Sequence, residues 1–238
     1  MRAGAGRDIV APSAYPRGMA YDALDAALID LDGTLVDTLG DFELVLHMAM
    51  GELGLPTVDR AFIARTVGKG STHLLQRCLA HVGADPGLLD ALWALYQRHY
   101  LEVNGRQSHV YPGIPEGLVK MREAGLKLAC VTNKPLAFAV PLLEGKGLAP
   151  HFEHVFGGES FERGKPDPMP FVEACKRLGS APGRTLVVGD SSNDAQAARA
   201  AGCPLALARY GYNHGEGVDG LGADAVFDRL DELAWPPG

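Results

Sequence analysis

Acidic residues directly follow two apolar runs of the sequence, in a pattern that could bind a metal ion. Asp30 follows the run LDAALI with Asp32 two residues later, and Asp190 follows RTLVVG with Asp194 four residues later. Carboxylates gathered in one crevice repel one another, which raises their pKa values and retains protons unless a cation is present. Mg²⁺ fits best, because it takes a few carboxylates and keeps waters and a phosphate oxygen as its other ligands. The sequence therefore predicts a Mg²⁺ site among these four aspartates.

The same strand ends supply donors for an anion. Lys165 stands in GKPDP before a predicted helix, Thr132 and Asn133 follow the run LKLACV, and Gly33 lets backbone N–H groups turn toward a ligand. Any one of these residues could be a cap, a turn or a solvated loop residue. Their coincidence at successive strand ends favours a phosphoryl-binding site, with one aspartate free to act as nucleophile and another as acid and base.

Alternating strands and helices must position these residues. Strands that are apolar throughout and separated by helices form a parallel sheet covered on both faces, which is a doubly wound α/β fold. Ligands of such sheets bind beyond the carboxyl ends of the strands. The predicted strands are 24–30, 126–132, a short one in HVFGG, 184–190, 203–208 and 223–227, and the predicted helices between them include 114–125, 167–179 and 192–202.

One long segment departs from the alternation. Residues 38–112 contain helical patterns and no convincing strand, so we expect an inserted all-helical cap domain, with residues 21–37 and 113–238 forming the core. Inserts of this kind open and close over active sites. Within it, the loop TVGKGS carries Lys69 between two predicted helices, which makes Lys69 the candidate for substrate specificity.

Composition narrows the functional class. The chain of 238 residues has a net charge of −7, which argues against nucleic-acid binding, and no run approaches the roughly 18 to 20 apolar residues that cross a bilayer. Four cysteines without metal-ligand spacing predict a reduced, cytoplasmic protein. Residues 1–20 lack the apolar core of an export signal and are predicted to be either a disordered arm or sequence upstream of a true start at Met19. We expect a monomer or homodimer acting on a small molecule.

Four motifs taken together resemble the haloacid dehalogenase-like phosphatase superfamily. The resemblance spans residues 21–235, and the helical insert after the first motif resembles the C1-type cap of this superfamily. The matching elements are DxDGT with a later acid (Asp30, Asp32, Gly33, Thr34, Asp37), a strand ending in Thr132, the lysine Lys165, and GDSxxD (Gly189, Asp190, Ser191, Asp194).

The resemblance implies a role for each residue. Asp30 would attack phosphorus to form an aspartyl-phosphate, and Asp32 would protonate the leaving alkoxide and later deprotonate water. Lys165 would pair with the nucleophile. The carboxylates of Asp30 and Asp190 and the backbone carbonyl of Asp32 would hold Mg²⁺, with Asp194 supporting them from behind. Thr132, Asn133 and Lys165 would bind the phosphoryl oxygens.

Within the superfamily, the closer resemblance is to phosphoglycolate phosphatases. It is carried by VTNKP, PLLE, GGES, VVGDSSNDAQAARAAGCP and YGYNHGE, although the segment after Lys165 lacks the histidine found in many of these enzymes. The resemblance implies a Mg²⁺-dependent hydrolysis of 2-phosphoglycolate. The alternatives are a phosphatase for another small phosphomonoester such as a sugar phosphate or sugar-acid 6-phosphate, a phosphosugar mutase, and a non-catalytic protein that binds a phosphorylated ligand.

Overall fold

The computed structural model describes residues 23–233, so the predicted N-terminal arm lies outside the described residues. The strands are β1 (Ala26–Ile29), β2 (Val36–Asp37), β3 (His109–Val110), β4 (Lys127–Val131), β5 (His154–Phe156), β6 (Thr185–Gly189), β7 (Leu205–Ala208) and β8 (Ala225–Phe227). The helices are α1 (Leu39–Glu52), α2 (Arg60–Thr66), α3 (Ser71–His81), α4 (Leu89–Val103), α5 (Ile114–Glu123), α6 (Leu136–Gly145), α7 (Met169–Leu178) and α8 (Ser192–Ala201).

A six-stranded sheet forms the centre of the molecule. Its order is β5-β4-β1-β6-β7-β8, and every neighbouring pair is parallel. Ala27 and Ile29 pack toward the face covered by α5 and α6, whereas Ala26 and Leu28 pack toward the face covered by α7 and α8. All four residues are fully buried, because both faces of the sheet carry helices. The predicted doubly wound α/β fold is confirmed.

The topology brings the polar strand ends to one edge. β1 lies between β4 and β6 and is parallel to both. Asp30, Thr132 and Asp190 each follow the last residue of one of these strands. Since the carboxyl ends of parallel neighbours lie at the same edge of a sheet, the three residues converge there, at the place where such folds bind ligands.

Helices α1–α4 build a hydrophobic cluster of their own. The cluster includes Phe42, Tyr96 and Tyr100, and it is joined by Phe138 of α6 and by Tyr212. We refer to residues 38–112 as the helical insert. Its separate core is consistent with the expected cap domain, whose boundaries stay a prediction.

The chain enters and leaves the helical insert through a short ribbon. β2 and β3 are antiparallel, with Val36 opposite Val110 and Asp37 opposite His109. The expectation that residues 38–112 contain no strand is therefore wrong at β3. Two residues are too few to show the alternating pattern by which a strand is recognised in a sequence. Among residues 23–233, no helix has the length and apolar character needed to cross a membrane.

Candidate active site

A buried lysine holds two aspartates at the carboxyl edge of the sheet. The Nζ of Lys165 lies 2.8 Å from Oδ1 of Asp30 and 2.7 Å from Oδ1 of Asp194, and it also donates to the carbonyl oxygen of Val131 at 3.0 Å. Although burial alone would lower the pKa of Lys165, the charges of Asp194 and Asp30 raise it above its ordinary value. Lys165 therefore stays charged and fixes both carboxylates.

Asp190 is held in place by neutral donors. The Thr34 hydroxyl donates to its Oδ1 at 3.0 Å, and the backbone N–H of Tyr212 donates to its Oδ2 at 2.7 Å. Gly33 has a φ of +85°, and a Cβ atom there would lie 2.4 Å from Asp190 Oδ2. Glycine is required at this position because the backbone of the DxDGT turn contacts the carboxylate directly.

Asp30, Asp190 and Asp194 can jointly approach a cation. Each offers a carboxylate oxygen, and the three oxygens lie within 4.8 Å of one another. Burial, together with the charges of Asp194 and Asp30, raises the pKa of Asp190 to about 8. Burial also raises the pKa of Asp30 to about 6, although Lys165 opposes the shift. The three carboxylates share the single positive charge of Lys165, and an all-oxygen donor set of this kind fits a hard divalent metal ion.

The two oxygens of Asp194 already have protein donors. Its Oδ1 accepts from Lys165, while its Oδ2 accepts from the hydroxyl of Ser191 at 2.9 Å and from the Ser191 N–H at 3.2 Å. Asp194 is fully buried at the start of α8. This arrangement suits a residue that orients Lys165 and the loop after β6.

Asp32 lies apart from this group and has a lysine of its own. Its Oδ1 accepts from the Thr38 hydroxyl at 2.7 Å and from Nζ of Lys134 at 2.9 Å. The side chain of Lys134 is 2% exposed. Sequence reasoning expected all four acids to converge and missed Lys134, although it directly follows Thr132 and Asn133 at a strand end. Lys165 pairs with Asp30 and Asp194, and Lys134 pairs with Asp32. Within residues 23–233, Asp190 has neutral donors only.

Two of the predicted anion donors are engaged within the protein. The Gly33 N–H donates to the carbonyl oxygen of Val36 at 2.9 Å. The Asn133 side-chain amide donates to the carbonyl oxygens of Lys165 at 2.7 Å and Gly68 at 2.8 Å. Thr132 is buried beside Asp30, and its hydroxyl accepts from the N–H of Lys134 at 3.2 Å. The Thr132 hydroxyl keeps its own proton for a ligand.

A loop of the helical insert contacts the site through backbone carbonyl groups. The Gly68 carbonyl oxygen accepts from the side-chain amides of Asn133 at 2.8 Å and Asn193 at 3.2 Å. The Arg65 carbonyl oxygen lies 3.2 Å from Nδ1 of His214. Lys69, next to Gly68, is exposed. The insert is thus seated on the edge of the sheet, over the acidic residues.

Two cavities lie between the insert and the sheet. A small one of about 30 Å³ is lined by both Asp30 and Asp32, with Thr132 and Lys134 on the same side. A larger one of about 570 Å³ opens outward and is lined by residues that include Lys69. Lys69 therefore lines the outer cavity and not the small one.

A family model matches most of this chain. The model for the haloacid dehalogenase-like hydrolase family matches residues 24–202, which include all four motifs. The chain belongs to this family. Since the motif residues are the ones gathered around the small cavity, the family assignment and the geometry indicate the same site.

Relatives with similar sequences align with most of this chain. The chain is 42% identical to a phosphoglycolate phosphatase from Thiobacillus denitrificans, covering 89% of this chain and 94% of that protein. It is 43% identical to a plasmid-encoded phosphoglycolate phosphatase from Cupriavidus necator, covering 87% and 90%. The resemblance inferred from the motifs is confirmed at the level of the family and of these relatives.

A solved structure has the same architecture. The crystal structure of a predicted phosphoglycolate phosphatase from Haemophilus somnus aligns with a TM-score of 0.84 at 31% identity, covering 89% of this chain and 96% of the other. The alignment extends through the helical insert as well as the sheet, since so little of either chain is left out.

Proposed function

We propose that the protein is a Mg²⁺-dependent phosphomonoester hydrolase that converts 2-phosphoglycolate and water to glycolate and phosphate. The observation that carries the proposal is the cluster of Asp30, Asp190 and Asp194, with carboxylate oxygens within 4.8 Å of one another, next to the buried ammonium of Lys165. The choice of substrate is supported by two relatives at 42% and 43% identity that are phosphoglycolate phosphatases.

Asp30 is the proposed nucleophile. Its Oδ1 is held by Lys165 and by the N–H of Leu31 at 2.8 Å, whereas its Oδ2 has no donor within residues 23–233. Oδ2 is therefore the atom available to attack phosphorus. The new bond joins Oδ2 to phosphorus as the bond from phosphorus to the substrate oxygen breaks, which leaves an aspartyl-phosphate and an alkoxide.

Asp32 is the proposed acid and base. Thr38 and Lys134 fix its Oδ1, so the other oxygen is left to carry the proton. In the first step Asp32 gives that proton to the departing alkoxide. In the second step Asp32 takes a proton from the water that hydrolyses the aspartyl-phosphate, so that Asp32 is again protonated and Asp30 is again a free carboxylate.

The proposed metal ligands are the carboxylates of Asp30 and Asp190 and the backbone carbonyl of Asp32. Mg²⁺ would neutralise the negative charge that gathers on the phosphoryl oxygens. Asp194 would support these ligands by holding Lys165. Thr132, the backbone of Asn133 and Lys165 would donate to the phosphoryl oxygens. Because Lys165 already has three protein acceptors, it would exchange one of them for the substrate.

The helical insert is the proposed cap of this active site. Its loop at Gly68 reaches the sheet through Asn133 and Asn193, and the small cavity lies between the insert and the carboxylates. Closure of this kind would exclude water from the reacting phosphorus. The four cysteines are free and buried, which supports action in the reducing cytoplasm, as a monomer or homodimer.

The proposal is tested by measuring phosphate release from a panel of small phosphomonoesters, with and without Mg²⁺. We expect the highest kcat/KM with 2-phosphoglycolate and no turnover after chelation. A higher kcat/KM for a sugar phosphate would change the assigned substrate but would leave the assigned reaction, phosphomonoester hydrolysis, unchanged. Isomerisation of β-glucose 1-phosphate without free phosphate would indicate a mutase, and no turnover of any ester would contradict the hydrolase assignment.

A further inference from the structure

Lys134 is a buried cation with an unused hydrogen-bond donor. Its Nζ donates to Oδ1 of Asp32 at 2.9 Å and to the hydroxyl of Tyr100. An ammonium group has three N–H donors, and the third has no acceptor within residues 23–233. The side chain is 2% exposed, so solvent does not supply the missing acceptor freely. A buried charged donor without a partner is costly unless a ligand completes it.

The surroundings of Lys134 strengthen any interaction with an anion. Its Nζ lies 4.6 Å from the ring centroids of both Phe42 and Tyr100. These rings belong to the helical insert and exclude water from the ammonium group. In such a low-dielectric setting, a charge pair is worth much more than it is at an exposed surface.

The small cavity limits what can reach this lysine. It measures about 30 Å³, and its walls include Asp30 on one side and the apolar side chains of Val67 and Leu74 on the other. A water molecule needs about 10 to 15 Å³ of such volume, so the space accommodates a group of very few atoms. Lys134 lines the same cavity. Because Asp30 and Lys134 line the same small cavity, a short tail on a phosphoester seated on Asp30 would be within reach of Lys134.

The other cations near the site are less able to bind an anionic group in the small cavity. Lys165 already donates to Val131 and Asp194, and its ammonium group lies 2.8 Å from Oδ1 of Asp30. Lys69 is exposed and lines the outer cavity. Lys134 combines burial, an unused N–H and a position in the small cavity.

We propose that Lys134 binds the carboxylate at the far end of the substrate and thereby selects short phosphomonoesters with an anionic tail. The inference rests on the proposed phosphatase function and deepens it. The hydroxyl of Tyr100 accepts from Lys134 and keeps its own proton, which makes it a second donor to the same carboxylate. A tail without negative charge leaves the third N–H of Lys134 without an acceptor, so it binds less well.

The test compares two substrates that differ in the tail alone. Lys134→Met is assayed with 2-phosphoglycolate and with 2-hydroxyethyl phosphate, which has a neutral tail of similar length. Loss of the Lys134–Asp32 contact lowers kcat/KM for both substrates, and this common factor cancels in their ratio. We expect the preference for 2-phosphoglycolate to fall by about 10- to 100-fold, the value of a charge-assisted hydrogen bond. An unchanged ratio overturns the proposal.

Matched variants separate the proposed contact from general damage. Tyr100→Phe removes the second donor and is expected to lower the ratio by about 3- to 10-fold. Tyr96→Phe removes a neighbouring buried hydroxyl that has no partner within residues 23–233, and should leave the ratio unchanged. If Lys134→Met does not fold, Tyr100→Phe carries the test alone. Lys176→Met, on the surface of α7, controls for the loss of a lysine.

Failure of this inference is distinguishable from failure of the proposed function. If the wild-type protein releases no phosphate from either ester, the hydrolase proposal fails. If the wild-type protein is active and both Lys134→Met and Tyr100→Phe keep its preference for 2-phosphoglycolate, only the role given to Lys134 is wrong and the hydrolase proposal stands. A change of the ratio in Lys69→Met without one in Lys134→Met likewise overturns the assignment and moves tail recognition to the outer cavity.

Discussion

The ammonium of Lys165 lies 2.8 Å from Oδ1 of Asp30. Asp32, two residues further along the chain, is bonded to a different buried lysine, Lys134, at 2.9 Å. The two acids of the DxD motif therefore have separate electrostatic environments despite their proximity in sequence. Different environments are what allow neighbouring carboxylates to take different chemical roles, here the proposed nucleophile and the proposed acid and base.

Asp30→Asn should abolish turnover and leave the fold intact. The amide is nearly isosteric with the carboxylate but cannot attack phosphorus, so we expect kcat to fall by about three orders of magnitude or more. Phosphate release measures the activity, and circular dichroism and thermal denaturation measure folding. Undiminished phosphate release by the folded variant would rule out Asp30 as the nucleophile.

Lys165→Met should destabilise the protein as well as inactivate it. The substitution leaves Asp30 and Asp194 without their shared counter-charge, and removing one partner of a buried ion pair costs about 3–5 kcal/mol. Urea denaturation without Mg²⁺ measures the free energy of unfolding. Lys176→Met removes an exposed ion pair with Glu173 and should cost less than about 1 kcal/mol. Equal effects of the two substitutions would contradict the structural role given to Lys165.

Gly33→Ala should weaken metal binding through Asp190. The new methyl group would lie 2.4 Å from Asp190 Oδ2, at a residue whose φ is +85°. Gly54→Ala is the matched control, because its φ is +67° and a Cβ there would meet no atom within 4 Å. Gly54→Ala should lose about 1 kcal/mol of stability from the positive φ, and Gly33→Ala should lose more because its methyl group also meets Asp190. We expect the Mg²⁺ concentration for half-maximal activity to rise in Gly33→Ala alone.

The stabilisation by Mg²⁺ should increase with pH. In the metal-free protein the pKa values of Asp30 and Asp190 are raised from 3.8 to about 6 and about 8, so both bind protons more tightly in the folded than in the unfolded state. Their contribution to stability is present below about pH 4 and is lost as the pH rises through 6 and 8. Mg²⁺ competes with these protons, so its binding becomes more favourable over the same range.

Thermal denaturation with and without Mg²⁺ between pH 5.5 and 8.5 checks this expectation. The increase in Tm on adding Mg²⁺ should be largest at the alkaline end. Asp190→Asn removes the group whose pKa is raised to about 8, so the Mg²⁺ effect should be smaller and should change with pH only near pH 6, where Asp30 titrates. A pH-independent increase in Tm for the wild-type protein would contradict a cation site built from these carboxylates.

Much of the architecture could be read from the sequence. The strands were recognised because they are buried on both faces, which makes each one a continuous apolar run such as LKLACV. Once the sheet is parallel, the positions of Asp30, Thr132 and Asp190 at one edge follow from topology, without knowledge of any side chain. The strand β3 was missed because two residues carry no periodic signal.

The partners of the polar side chains were decided by the tertiary structure. Asp32 is joined to Lys134 across 102 positions of sequence, and Asn133 to the carbonyl oxygen of Gly68 across 65. The Gly33 N–H, expected to turn toward an anion, donates to Val36 instead. Whether a hydrogen bond forms depends on differences of a few tenths of an ångström in the donor–acceptor distance. These distances are set by how the helical insert packs on the sheet. The sequence by itself determined which strand ends meet at the site, because continuous apolar runs and parallel topology fix where each strand ends. Which side chain contacts which, including the pairing of Lys134 with Asp32, was decided by packing in the tertiary structure.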